Sequence, residues 1–397
     1  MTMRRLLVVS HEMSLTGAPM NLLHFVRWVR EHTDVDVHVL ALQDGPLRCR
    51  FSDVADVTVL DASSVLGVAK VVQQGLVQMG SRKAWRRVAA ARLVPQLRHL
   101  RDFDVIYLNS LGSLELLPYL PPARLVVSHV HELGVAIETQ RASVQESLRS
   151  GPQLWIAASD AVGEVLTSQV GLPAEAVRVH HEFIDAVGVA NREISAREVS
   201  RLRRSYRIPS DAAIVMGAGT VDWRKGPDLF VQLASEVRRR TREPVHFVWM
   251  GGNLETVDMV RLHSDMRFAG VDNVLFAGIR VDPLPWFAAA DVFALTSRED
   301  PFPLVCLEHA AMGHPIVTYR NGGMPELLTA AGPAAAAGIV DYLDVGAMAA
   351  QVLALLEDES LRSAAASELQ QRVLQHHDVS VAAPALFKDL DAAWSAH

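Results

Sequence analysis

The sequence predicts an α/β protein of two domains, each a parallel sheet wound on both faces by helices. Two observations carry this. Short apolar runs (Leu6 to Ser10, Val35 to Leu42, Asp104 to Asn109, Leu125 to Val130, Trp155 to Ser159) alternate with helical patterns, the signature of buried parallel strands and their crossovers. The alternation then restarts at Ala213, after a charged segment over 191–207 that reads as helical, in a chain whose 397 residues exceed most single cores. The expected boundaries are residues 1–188, residues 189–376 and a last helical segment, 377–397.

In the first half, the strand Leu6 to Ser10 leads to a loop, Ser14 to Pro19, and then to a helix with Leu22, Leu23, Phe25, Val26 and Val29 on its apolar side. Ligands of such sheets sit at the carboxyl ends of strands. Gly17 stands at one, as an ordinary tight turn or as a loop approached closely by a ligand. The strand ending at Val130 carries His129 and His131 at alternate positions, hence on one side. His-x-His also suits a metal, but no third ligand stands nearby in sequence. Trp155 to Ser159 reads as the last strand of this half, and Ser159 caps the helix that follows.

In the second half, the strand Ala213 to Gly217 is followed by Ala218-Gly219-Thr220-Val221-Asp222-Trp223-Arg224-Lys225-Gly226 and a helix. Small residues let backbone approach a ligand, and Arg224 and Lys225 at a helix entrance suit a diphosphate; solvated surface cations are the plain alternative. Val245 to Met250 and Asn273 to Phe276 are further strands, the second leading to Gly278-Ile279-Arg280. The apolar run Ala290 to Thr296, read as a buried strand, leads to Ser297-Arg298-Glu299-Asp300-Pro301-Phe302-Pro303-Leu304, and a short helix runs to Gly313. Pro303 suits the first helical position and Gly313 the stop. Asp300 and Glu308 bracket the free N–H groups of that helix start, a natural phosphate seat. Carboxylates repel phosphate but accept hydrogen bonds from hydroxyls beside it. A phosphate flanked by polyols is a nucleotide sugar. Arg320-Asn321-Gly322-Gly323-Met324-Pro325-Glu326 follows the next strand; Glu326 there is a ligand contact or simply an acid in a first helical turn.

The segment from Asp300 to Glu308, an acid and a Glu with seven residues between them inside strand, Pro-Phe, Leu-Glu, Ala-x-x-Gly-x-Pro, resembles the retaining GT-B glycosyltransferases of the family-four (glycosyl transferases group 1) type. The resemblance implies two Rossmann-like domains facing across a cleft and a final helix crossing back to the first. It implies that Lys225 binds the donor diphosphate, where Lys-Gly matches, and that N–H groups near Phe302 to Val305 assist. Glu308 would hold the ribose. The family's first acid is Glu; here Asp300 fills that slot with Glu299 beside it, and both remain candidates for the sugar hydroxyls. Thr220 stands where the family has Arg after Gly, so Arg224 becomes the candidate for the missing charge. Arg280 falls at the nucleobase turn, Gly323 and Glu326 at the Gly-Gly-x-x-Glu loop beside the donor, Gly17 near diphosphate and acceptor, and His131 at the strand end that contacts the sugar.

The expected activity is therefore metal-independent transfer of a sugar from a UDP-, GDP- or similar nucleotide sugar to a hydroxyl of a glycan or lipid-linked acceptor, with retention. His131, Asp300 and Lys225 are the expected catalytic residues; no metal and no cofactor beyond the donor is expected. Two alternatives use the same fold: a degenerate binder of nucleotide sugar or protein, and a nucleotide-sugar epimerase. No G-x-G-x-x-G follows the first strand, which disfavours a dinucleotide dehydrogenase. A net charge of −7 disfavours nucleic acid as partner, and two cysteines suit a reducing compartment. Within this acidic chain, residues 62–101 hold eight basic residues, among them Arg86, Arg87, Arg92, Arg98 and Arg101, and no acid. That block reads as a solvated basic helix or as a surface for anionic lipid. No run approaches the ~20 apolar residues of a membrane span, so the expected location is cytoplasmic, at the inner face of the membrane if the lipid reading holds.

Overall fold

A computed structural model describes residues 4–60 and 91–396. The chain divides into two compact units, Met1–His181 with Ala382–His397, and Glu182–Val381.

The first unit is built on seven parallel strands: β1 (Arg5–Ser10), β2 (Asp36–Ala41), β3 (Asp56–Val59), β4 (Val105–Asn109), β5 (Leu125–Val130), β6 (Leu154–Ala157) and β7 (Val177–Val179). Their spatial order is β3-β2-β1-β4-β5-β6-β7. β4 and β5 are buried along their whole length, which is why they read as unbroken apolar runs. β1 pairs with β2 on one side and β4 on the other, Leu6 facing both Val37 and Val105. The order therefore reverses at β1, and the crevice such a reversal opens lies beyond Ser10 and Asn109.

Two expectations change here. Trp155 to Ser159 is not the last strand: β7 pairs with β6, Trp155 opposite Val177, in a stretch whose exposure at the sheet edge hides the apolar signal. The helix after β1 starts at Gly17 rather than beyond Pro19. Of the basic block, residues 62–90 lie outside the described residues. In the remainder, Leu93, Leu97 and Leu100 are core residues of the first unit, and Arg92 and Arg98 are exposed.

The helix Val379–Ala396 returns to this unit from Ala382 onward. Leu386, Leu390 and Trp394, spaced by four, are buried. Trp28 packs on Phe387 with ring centroids 5.7 Å apart, Arg4 pairs with Asp391 and lies over Trp394, and His180 hydrogen-bonds Asp389 at 3.0 Å.

The second unit has six parallel strands: β8 (Ala213–Ala218), β9 (Val245–Met250), β10 (Val274–Gly278), β11 (Val292–Leu295), β12 (Ile316–Tyr319) and β13 (Ile339–Val340), ordered β10-β9-β8-β11-β12-β13. Phe230 on the helix Pro227–Arg240 meets Phe247 and Trp249 edge-on, at 5.4 and 5.3 Å, beneath β8 and β9. The order reverses between β8 and β11. The loops that leave those two strands, 219–226 and 296–303, are thereby brought side by side. Among the described residues no helix is long and apolar enough to cross a membrane.

Candidate functional site

The loops beyond β8 and β11 meet through backbone and one side-chain hydroxyl. Arg298 N–H donates to the Arg224 carbonyl at 2.7 Å, and the Thr296 hydroxyl donates to the Gly226 carbonyl at 2.9 Å. The approach is so close that a Cβ on Gly226 would stand 2.2 Å from the Thr296 carbonyl oxygen, and Gly226 has φ +68°. A third loop, after β12, closes on the same place: Gly322, at φ +68°, would put a Cβ 2.0 Å from the Asp300 carbonyl oxygen. Only glycine fits either position.

Held this way, the Lys225 ammonium lies 2.6 Å from Asp300, with side-chain exposures of 15 and 6%. Asp300 also accepts from the Ser297 hydroxyl at 3.0 Å. The structure thus joins two residues read separately from sequence, the diphosphate lysine and the first acid, as one buried ion pair. Asp300 rather than Glu299 is the acid that faces Lys225.

The helix Leu304–Ala311 begins beside the pair without any side-chain cap. Pro303 is its N-cap, with extended backbone (ψ 119°), one position earlier than expected. The ring of Phe302 stacks on His377 at 5.2 Å, so Phe302 contributes backbone rather than side chain to the loop's mouth. Glu308 lies one turn along. It keeps a partly exposed edge, yet burial pushes its pKa up to about 7, and no hydrogen bond to its carboxylate forms among the described residues. A carboxyl that is costly to ionise and lacks donors suits a ligand that brings hydroxyl groups.

The other candidates distribute unevenly. Arg224 hydrogen-bonds the Glu299 carbonyl at 3.4 Å, within the same loop pair. Thr220 is exposed and donates to Asp222. Gly323 N–H donates to the Asp300 carbonyl at 3.3 Å, and Glu326 is half-buried in the first turn of the helix Met324–Ala331. Arg280 is exposed and donates to the Tyr206 hydroxyl at 2.6 Å, an engagement the sequence did not suggest. Gly17 and His131 belong to the first unit. Gly17 opens its helix with an ordinary negative φ, so no left-handed turn requires glycine there. His131 follows β5, packs against His129 with ring centroids 4.0 Å apart and the rings tilted by 42°, and hydrogen-bonds the Asn109 side chain at 2.9 Å.

Sequence reading missed several residues. Arg298 forks onto Asp228, at 2.9 and 2.7 Å, from the middle of the acidic loop. Asp228 carries the only earlier signal, an acid in a first helical turn, which is common without consequence. In the first unit, Ser110 has φ +86° at the end of β4 and hydrogen-bonds His11 at 2.9 Å. His11 in turn hydrogen-bonds Glu12, as do Ser14 and Thr16, and against the cost of burial these hold the Glu12 carboxyl down at about 2. Strained non-glycine residues tend to cluster at functional sites and have no sequence signature.

Two outcomes follow for stability. Glu308 binds its proton more tightly folded than unfolded, so the folded state holds more protons between pH 4.5 and 7 and stability falls as pH rises through that window. In Glu308→Gln, urea unfolding should show that fall reduced by about 2 to 3 kcal/mol; parallel profiles for parent and variant would remove burial as the cause. For the ion pair, Lys225→Ala or Asp300→Ala should each cost about 3 kcal/mol by leaving a buried charge unpaired, and Lys225→Met with Asp300→Leu should recover most of it. Strictly additive losses would mean that the two charges are not coupled.

A family model described as glycosyl transferases group 1 matches residues 212–358, the strands and loops that build this site. The lipopolysaccharide core biosynthesis glycosyltransferase of Rhizobium meliloti is 31% identical over 44% of this chain and 48% of its own. The GDP-mannose-dependent alpha-(1-6)-phosphatidylinositol monomannoside mannosyltransferase of Mycolicibacterium smegmatis is 34% identical over 40% of this chain and 42% of its own. The chain thus spans about half the length of these curated relatives or less. The Anabaena protein HepE, solved with UDP-glucose, superposes with a TM-score of 0.77 over 98% of this chain and 99% of its own at 20% identity, a likeness of fold: two Rossmann-like α/β domains. The likeness to the glycosyl transferases group 1 family thus rests on residues 212–358.

Proposed function

We propose that this protein is a glycosyltransferase that moves a sugar from a nucleoside diphosphate to a hydroxyl group. The observation that carries the reading is the buried Lys225–Asp300 pair at an uncapped helix start, with Glu308 one turn further on. In this reading Lys225 and the first N–H groups of the helix Leu304–Ala311 receive the diphosphate. Glu308 accepts from the ribose hydroxyls. Asp300, with Glu299 as the alternative, accepts from the sugar, and the Gly323–Glu326 loop borders the donor. Arg224 adds charge where Thr220 does not. Arg280, already engaged by Tyr206, contributes to the nucleobase only through its backbone.

The reaction breaks the bond between the anomeric carbon and the phosphate oxygen and forms one from that carbon to the acceptor oxygen. The acceptor's proton passes to the departing phosphate. Lys225 stabilises the charge that develops on that phosphate, and attack from the same face gives retention. No cofactor beyond the donor enters this scheme. His131, at the strand-end face of the first unit, is the candidate for contact with the sugar, and Gly17 lies on the same face.

The names of the relatives support a lipid-linked or glycan acceptor: one acts in lipopolysaccharide core biosynthesis, another on a phosphatidylinositol mannoside. Such an acceptor would bring the protein to an anionic membrane surface, for which the charge of residues 62–101 is suited. Arg86→Glu with Arg87→Glu should weaken sedimentation with phosphatidylglycerol vesicles, and a parent that does not sediment with them would remove the membrane from this reading.

The donor reading is tested by thermal stability against nucleotides and nucleotide sugars without added metal. A ligand at a hundred times its dissociation constant adds about 2.7 kcal/mol. A shift with one nucleoside diphosphate, lost in Glu308→Ala, is expected. Thr220, in place of a cation, favours the degenerate binder as the second reading. Binding without turnover would select it, and no shift with any nucleotide would overturn the donor reading altogether.

A further inference from the structure

We propose that Arg298 is a positioning residue of the donor site, fixing the acidic loop against the Lys225 loop and thereby setting where Lys225 and Asp300 stand. This rests on the donor reading given above. Arg298 is unlike its charged neighbours in how many elements it holds. Its guanidinium forks onto both oxygens of Asp228, at 2.9 and 2.7 Å, in the first turn of the helix Pro227–Arg240. The same group donates to the Trp223 carbonyl at 2.8 Å and lies over the Trp223 ring, 5.4 Å from its centroid. Its own N–H donates to the Arg224 carbonyl, one residue before Lys225. Its carbonyl accepts from the Asn321 side chain and, at 3.4 Å, from the Tyr342 hydroxyl.

One residue therefore ties together the Lys225 loop, the helix that follows it, the Gly322-Gly323 loop and the segment after β13. Asp300 stands two residues further on, 2.6 Å from the Lys225 ammonium. The side chain of Arg298 is only 13% exposed, so the arginine half of the fork is largely removed from water. The hydrogen bonds with Asp228 hold its pKa above the ordinary value. A planar two-point fork fixes direction as well as distance; a lysine ammonium fixes distance alone. The geometry asks for arginine here, and Arg298 needs no contact with the donor to matter.

A residue that merely stabilises the fold and one that aims Lys225 differ in what they do to phosphate recognition. Parent, Arg298→Ala, Arg298→Lys and Asp228→Asn are titrated calorimetrically with UDP and uridine and with GDP and guanosine, and the Tm of each is recorded. The parent's preference for the diphosphate over its nucleoside is expected to fall by about tenfold in Arg298→Ala and in Asp228→Asn, with nucleoside affinity unchanged. Arg298→Lys is expected to lose the preference as well, since it keeps the charge and loses the fork. Arg298→Ala combined with Asp228→Asn should lose no more than either alone. Equal weakening of diphosphate and nucleoside, or an intact preference, overturns the positioning role. Asp228, 39% exposed, is replaceable even if Arg298→Ala does not fold. A parent that binds neither diphosphate overturns the donor reading, and this role with it. A parent that binds one while every variant keeps its preference overturns the positioning role alone.

Discussion

A lysine ammonium and a carboxylate taken largely out of water must meet at close range, or each costs the fold several kcal/mol. Lys225 and Asp300 meet at 2.6 Å, and the construction of the second unit follows from that requirement. The two residues are 75 positions apart in sequence, on loops that leave β8 and β11. Those loops are neighbours only because the strand order reverses there. The loops must then approach more closely than side chains allow, so the positions of tightest contact, Gly226 and Gly322, lack a Cβ. Strand order, glycine placement and the ion pair are three expressions of one constraint.

In the proposed donor reading, the same pair accounts for carboxylates beside a site for an anion. A bare diphosphate would be repelled by Asp300, but Asp300 is already matched by Lys225, and the uncapped helix start adds positive dipole without adding charge. An arriving phosphate would share the ammonium and leave Asp300 to hydroxyl donors. Glu308 meets the same problem differently: burial raises its pKa to about 7, so near neutrality it sits on the edge of ionisation, with no donor among the described residues. In the donor reading proposed above, both carboxyl groups would accept from polyol hydroxyls, one matched by an internal counter-ion and the other desolvated.

The first unit gathers histidines, amide and hydroxyl groups and an ionised carboxylate at its strand ends. His11, Glu12, Ser110, Asn109 and His131 cluster at the ends of β1, β4 and β5, joined by hydrogen bonds that include a Ser110 held at φ +86°. The final helix belongs to this unit from Ala382 onward, anchored by Leu386, Leu390 and Trp394. Its helical character was legible in the sequence. The ion pair from Arg4 to Asp391, which spans nearly the whole chain, was not.

How much of this could be read in advance follows from range. Apolar runs and helical spacing are local, because the period of a buried strand or helix face is written in neighbouring residues; they determined the α/β class, the alternation and the helices after β1, β8 and β11. The acidic loop and its glycine neighbours were legible as a motif because small and charged residues are grouped within about ten positions. The edge strand β7 was missed because a half-exposed strand of three residues has too little apolar periodicity to register. The role of Pro303 slipped by one residue, since proline's fixed φ suits either side of a helix start. Tertiary structure alone decided that Asp300, not Glu299, faces Lys225, that Arg298 forks onto Asp228, and that Arg280 turns to Tyr206. Each of these joins residues some seventy positions apart, and which distant charges meet is set by strand order and loop approach, quantities that no local pattern of residues encodes.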